Sequence, residues 1–279
     1  MHCASIRRIL SANPGISVFM TILEALVLGI LQGVTEFLPI SSSGHLVIAQ
    51  AILDIEVPGV LFEVWVHMAT LLSILLIYRN RIAELSRGIL GKDRSALEYM
   101  GLIGLATLPA VVAGLFLGDL VKVMFDNPVI PGVALLVTGG VLWTSRGVSI
   151  SSVEDRPRWI GALVIGLAQA FALIPGISRS GTTVVAALWL GLKAEDAAAF
   201  SFLMAIPVIL GATLLQLPEI GASQSLPTLT LLLAGAAAAF TGVLAIRTFI
   251  TTLGKGSLHL FGIYCWIIGA LFLSYLWVK

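Results

Sequence analysis

The sequence predicts an all-α integral membrane protein, a polytopic helical bundle with inverted repeats and two re-entrant broken-helix segments. Three observations predict it. Of the 279 residues, 58% are hydrophobic and 11% charged, with a mean hydropathy of +1.03, against about 25% charged in an ordinary soluble domain. Several apolar windows approach the roughly 20 residues that a spanning helix needs. A Pro/Ser/Gly turn flanked by apolar sequence occurs twice. The 28 glycines and 11 prolines suit membrane helices, where close packing and kinks are tolerated. Sixteen Lys+Arg against fifteen Asp+Glu leave a net charge of +1, which excludes a nucleic-acid partner. Cys3 and Cys265 have neither metal nor redox spacing. A single domain over 1–279 is expected.

In chain order, Arg7 and Arg8 precede an apolar run that resembles a signal peptide, but Glu24, Gln32 and Glu36 interrupt it and no small-residue cleavage site closes it. It is therefore expected to stay in the mature protein. The segment 18–53 reads as re-entrant, followed by an external connection at 54–58 that lacks Lys and Arg. A span is expected at 60–78, then a connection at 79–94 carrying Arg79, Arg81, Arg87, Lys92 and Arg94, the strongest cytoplasmic signal. The chain should cross at 99–117, turn outside near 119–128 and return at 129–144, leaving Arg146, Arg156 and Arg158 inside. With Arg158 before it and Lys193 after it, 159–196 has both ends on the cytoplasmic side and reads as the second re-entrant segment. Spans follow at 197–217, 226–246 and 258–277, with Arg247 and Lys255 again inside.

A shift of 137 residues lays Gly29, Gln32, Ile40, Ser41, Ser43 and Gly44 on Gly166, Gln169, Ile177, Ser178, Ser180 and Gly181. Repeat 1 is placed at about 18–145 and repeat 2 at about 158–277. Entry from opposite faces makes this an inverted repeat whose broken helices meet near the midplane, an arrangement found in many transporters. Irregular backbone at that depth must be buried in protein or reached by water. The two turns are expected to face each other across a polar cavity.

Candidate chemistry concentrates in those turns. Gln32 and Glu36 are four apart and share a helix face, and an intramembrane Glu36 is either functional or paired with a neighbouring helix. Pro39 ends that helix. Any of Ser41, Ser42 and Ser43 could cap the next, where Gly44 admits a ligand closely. His45 shares a face with Ser42, and a serine beside a base is the minimal nucleophile arrangement. In the second turn Pro175 and Gly176 precede Ser178, Arg179, Ser180, Thr182 and Thr183. An arginine among hydroxyls and free helix amides suits a tetrahedral oxyanion such as phosphate, the alternative being a structural partner of Glu36 or Glu63. Glu63 is a further candidate carboxylate of the site. His67, His259, Pro109, Pro207, Glu195 and Asp196 are read as structural.

The motifs at Gln32 to Glu36 and Pro175 to Thr183, with FEV at 62–64 and AFSFLMAIP at 199–207, resemble the undecaprenyl-diphosphatase family of bacitracin-resistance membrane proteins over nearly the whole chain. Where that family has Glu or Gln followed four residues later by Glu, this sequence has Gln at position 32. The resemblance implies hydrolysis of undecaprenyl diphosphate to undecaprenyl phosphate and phosphate, recycling the lipid carrier for peptidoglycan. It places the active site on the periplasmic side of the bacterial plasma membrane. It also implies a divalent cation, Mg²⁺ or Ca²⁺. Carried over by motif, Ser42 is the nucleophile, His45 its acid/base neighbour, and Arg179 the phosphate clamp. Ser41, Ser43, Ser178, Ser180 and Thr183 are phosphate-binding, and Glu36, Gln32 and Glu63 form the metal or base element. Attack by Ser42, with Glu36 or His45 taking its proton, competes with metal-activated water. The partners are a polyprenyl diphosphate and membrane lipid; a homodimer is compatible with the sequence. A polyprenyl-phosphate flippase is the alternative function, on architecture alone. The type-2 phosphatidic acid phosphatases share a Ser-Gly-His element with Ser43, Gly44 and His45, but Val185 stands where that class has a histidine.

Overall fold

A computed structural model describes residues 20–53, 61–148, 154–222 and 226–279. The expectations for Cys3, Arg7, Arg8 and the 54–58 connection lie outside these. Among the described residues are eleven α-helices: α1 (Ile22–Phe37), α2 (Ser42–Leu53), α3 (Leu61–Ile77), α4 (Arg79–Leu90), α5 (Arg94–Asp126), α6 (Val129–Thr144), α7 (Trp159–Phe171), α8 (Arg179–Trp189), α9 (Ala194–Ala222), α10 (Thr228–Gly254) and α11 (Leu260–Val278). Five helices are long and apolar enough to cross a membrane, six if the bent pair α3 and α4 forms one span. The chain is an all-α, multi-pass membrane protein.

The short helices are the ones beside the turns. Thr21 and Glu24 close a capping box that starts α1. Pro39 forces Leu38 into extended backbone and ends it. Helices α1 and α7 begin at residues 22 and 159, and α2 and α8 at 42 and 179, so both pairs of starts are separated by the 137 residues of the sequence match. With 16, 12, 13 and 11 residues, α1, α2, α7 and α8 each fall short of a full crossing.

Two expectations about extent are corrected. The basic stretch after residue 78 is a helix, α4, bent by 79° from α3. Its charges conceal an amphipathic pattern in which Leu85 is buried and Leu90 exposed. The 99–117 span is the inner part of the 33-residue α5, which at 1.5 Å per residue is roughly 50 Å long and takes in Asp119 and Lys122. Helices α9 and α10 likewise run past the C-terminal ends of their apolar windows.

Small residues set the packing. Gly29 and Gly33 of α1 abut the backbone of Ala234 and Ala238 on α10, and Gly166 of α7 abuts that of Ala106 on α5. Helices α6 and α11 meet through Gly132, Gly139, Gly262 and Gly269. Close backbone approach is how helices associate where lipid removes the hydrophobic incentive. Gly29→Leu should therefore lower stability in detergent by ~1–3 kcal/mol, read as a fall in apparent melting temperature, while substitution at Gly101, which meets nothing within 4 Å, should leave it unchanged. Beneath the site, Phe37, Phe202 and Phe249 interlock edge to face at 5.6 and 5.3 Å.

Candidate active site

The two turns touch rather than face each other across open space. The Gly176 amide donates to Ser43 Oγ at 3.3 Å, and Ser180 Oγ donates to the Leu38 carbonyl at 3.4 Å. Thr138 of α6 locks the second turn, donating to the Gly176 carbonyl at 2.9 Å and accepting from the Ser178 amide at 3.1 Å. The cap of each second helix is the first serine of its cluster: Gly44 N–H donates to Ser41 Oγ at 3.3 Å, and Gly181 N–H to Ser178 Oγ at 3.1 Å.

A cavity of about 280 Å³ lies to one side of the joined turns. Its polar wall includes Glu36, Ser41, Ser42, Ser43, Glu63, His67, Ser178 and Arg179. Its apolar lining includes Val121 and Phe125 of α5 and Val208 and Ile209 of α9. Glu36 is the hub. One carboxylate oxygen pairs with Arg179. The other accepts Ser42 Oγ–H at 2.6 Å and the Gln32 amide at 3.1 Å, with His67 Nε2 at 3.7 Å. The alternative of Arg179 as a partner of Glu36 and its role beside the hydroxyls thus coexist in one geometry. Ser42 and Arg179, the first residues of their helices and mates in the repeat, converge on the same carboxylate. Nη1 of Arg179 is buried without a partner among the described residues, leaving donor capacity for an anion.

Several sequence-predicted residues stand elsewhere. His45 does not line the cavity; its Nδ1 bonds the Ser41 carbonyl at 2.8 Å and its Nε2 the Tyr264 hydroxyl at 2.9 Å. Both ring nitrogens are committed away from Ser42 Oγ, which corrects its placing as the proton-transfer neighbour. Ser180 and Thr183 are buried off the cavity, Thr183 bonding Ser201 at 2.6 Å and the Arg179 carbonyl at 2.7 Å. They brace the turn that carries Arg179. Gln32 is also off the cavity, fully buried behind Glu36.

The residue that sequence reasoning passed over is His67. It sits on the cavity wall, its Nδ1 bonded to the Glu63 carbonyl at 2.7 Å and its Nε2 3.7 Å from Glu36 Oε2. The available signal was its spacing, one turn after Glu63 on a helix entering the site.

A carboxylate holding a serine hydroxyl and an arginine among broken helices, in a cavity with both polar and apolar lining, defines a polytopic membrane protein with a buried polar site. Residues 25–271 match the family of the bacitracin resistance protein BacA, and the chain belongs to that family. It is 37% identical to an undecaprenyl-diphosphatase of Desulfatibacillum aliphaticivorans over 89% of this chain and 96% of that one. With the undecaprenyl-diphosphatase of Alkaliphilus metalliredigens it shares 39% over 90% and 98%. With undecaprenyl-diphosphatase 2 of Bacillus thuringiensis it shares 40% over 92% and 99%.

Proposed function

We infer that this protein hydrolyses undecaprenyl diphosphate to undecaprenyl phosphate and inorganic phosphate, which returns the lipid carrier to peptidoglycan synthesis and confers resistance to bacitracin. The observation that carries the reading is Glu36, which binds Ser42 Oγ–H and Arg179 in a cavity lined by both polar and apolar side chains. The relatives named undecaprenyl-diphosphatase cover nearly their whole length. A flippase is not favoured.

The terminal phosphate enters against Arg179, Ser41, Ser43 and Ser178, and the isoprenoid leaves along the apolar side. Ser42 Oγ attacks the terminal phosphorus while its proton passes to Glu36 Oε2. The serine–phosphorus bond forms as the bridging oxygen departs with undecaprenyl phosphate. Water then attacks the phosphoserine, Glu36 returns its proton to Ser42 Oγ, phosphate leaves, and the surplus proton passes to solvent. A hydrogen bond of 2.6 Å puts Ser42 within reach of its base before substrate binds. Arg179 supplies fixed positive charge where the phosphoryl group moves.

Glu36 and Gln32 do not fit a resident metal: the oxygens of Glu36 already accept Arg179, Ser42 and Gln32, and Gln32 is off the cavity. Glu63 does fit, since it lines the cavity and, among the described residues, its carboxylate accepts only a 3.3 Å bond from Gln50. Mg²⁺ commonly uses one or two carboxylates together with substrate phosphates. Bound there with the diphosphate, the cation would neutralise charge on it. Phosphate release should stop with chelator and return with Mg²⁺ or Ca²⁺, and Glu63→Gln should raise the cation concentration for half-maximal activity about tenfold, an interaction of ~1.4 kcal/mol. An unchanged requirement would remove Glu63 from the cation site.

The cavity is lined from the C-terminal parts of α5 and α9 and by no residue of the arginine-rich 79–94 segment, which the positive-inside rule assigns to the cytoplasm. This supports an inverted repeat in a bacterial plasma membrane with the active site on its periplasmic side. The reading is tested by phosphate release from undecaprenyl diphosphate by the purified protein. Hydrolysis supports it; transport of the lipid across vesicles without hydrolysis overturns it.

A further inference from the structure

We propose that Tyr264 is a positioning residue, acting through His45 to hold the Ser41–Ser42 peptide so that the Ser42 hydroxyl stays on Glu36. Ser41 has φ +70° and is 3% exposed. Among the described residues only Lys92 is another non-glycine with positive φ, at a turn on the surface. The left-handed region is unfavourable for a residue with a side chain, and persists where surrounding structure over-determines it.

The determinant here is the Ser41 carbonyl, which points at His45. It accepts the His45 backbone amide at 3.2 Å and His45 Nδ1–H at 2.8 Å. Because that oxygen can only accept, the proton is on Nδ1, and Nε2 of the neutral ring takes the Tyr264 hydroxyl proton at 2.9 Å. The two rings lie 7° from parallel, with centroids 5.7 Å apart. A chain of bonds thus runs from α11 to the peptide immediately before the nucleophile, with neither ring lining the cavity.

The second turn is an internal comparison. Ser178, the mate of Ser41, has φ −76°. The mate of His45 is Thr182, whose hydroxyl also donates to the carbonyl four residues back, Ser178, at 2.9 Å, and stands 3.2 Å from the Arg179 carbonyl and 3.4 Å from the Ala168 carbonyl of α7, with no second ring in the chain of bonds. Positive φ in that turn falls on Gly176, where it costs no side-chain clash. The strained serine and the two-ring strut therefore occur together, and only in the copy whose next residue is Ser42 rather than Arg179.

The inference rests on Ser42 being the nucleophile, and the experiment separates the two. Steady-state phosphate release is measured for Tyr264→Phe, His45→Gln and the double variant, each with its pH profile and melting temperature. Tyr264→Phe removes one hydroxyl from a residue 39% exposed, so packing is kept. It should lower kcat about tenfold with KM unchanged, and His45→Gln about a hundredfold, the scale of a misplaced reacting group. The double variant should be no slower than His45→Gln, because Tyr264 acts through the ring. The pH profile should keep its shape in all three. Wild-type kcat in Tyr264→Phe, additive losses, or a pH limb that moves with His45→Gln would each overturn the strut. If His45→Gln does not fold, the kcat and KM of Tyr264→Phe decide alone. Full activity of Ser42→Ala would instead remove the nucleophile assignment.

Discussion

Ser42→Ala should abolish phosphate release, lowering kcat by about 10³-fold or more while the protein stays folded. Removing a nucleophile that acts as a unit with its base costs nearly everything the unit supplies, and what remains comes from binding and charge stabilisation. The substitution is mild structurally: Ser42 is partly exposed, and its hydroxyl bond goes to Glu36, which keeps Arg179 and Gln32. Ser41, the cap of α2, is untouched. An unchanged melting temperature with lost activity is the expected pair of results. Near-normal release would assign the attack to water.

Arg179→Ala should damage both fold and activity, because it removes the phosphate clamp and strands Glu36. Glu36 is 9% exposed, and breaking a buried pair by deleting one partner typically costs ~3–5 kcal/mol. Loss of a charge-stabilising donor should lower kcat by about 10²- to 10³-fold on top of that. A structural pair and a catalytic one differ in the double variant. Arg179→Met with Glu36→Gln removes both charges, so the melting temperature should recover most of its loss. Activity should not recover, since neither the base nor the clamp is present. Recovery of both would make the pair purely structural.

The broad plan was legible because the membrane penalises polarity. Glu36, Arg179 and the serine clusters stood out as groups that apolar segments have no reason to carry, and they do meet. Loop arginines marked the ends of the spans. Less legible were features that depend on which helix packs next. Thr138 and Ser201 lie inside ordinary spans, and only the approach of α6 and α9 to the second turn gives them partners. His45 follows the serines at a spacing that suited proton transfer, but its ring is bonded between the Ser41 carbonyl and Tyr264 of α11. His67 was hidden by the opposite circumstance, an unremarkable position that α3 carries to the cavity. Helix α4 read as a loop because its arginines outweigh the few apolar residues that dock it.

The central claim is that Ser42 takes the terminal phosphoryl group before water does, and stereochemistry at phosphorus tests it most directly. Undecaprenyl diphosphate carrying an isotopically chiral terminal thiophosphate is hydrolysed by the wild-type protein in isotopically labelled water, and the released thiophosphate is analysed for configuration. Two successive in-line displacements predict net retention. Net inversion would contradict the account and show a single attack by water.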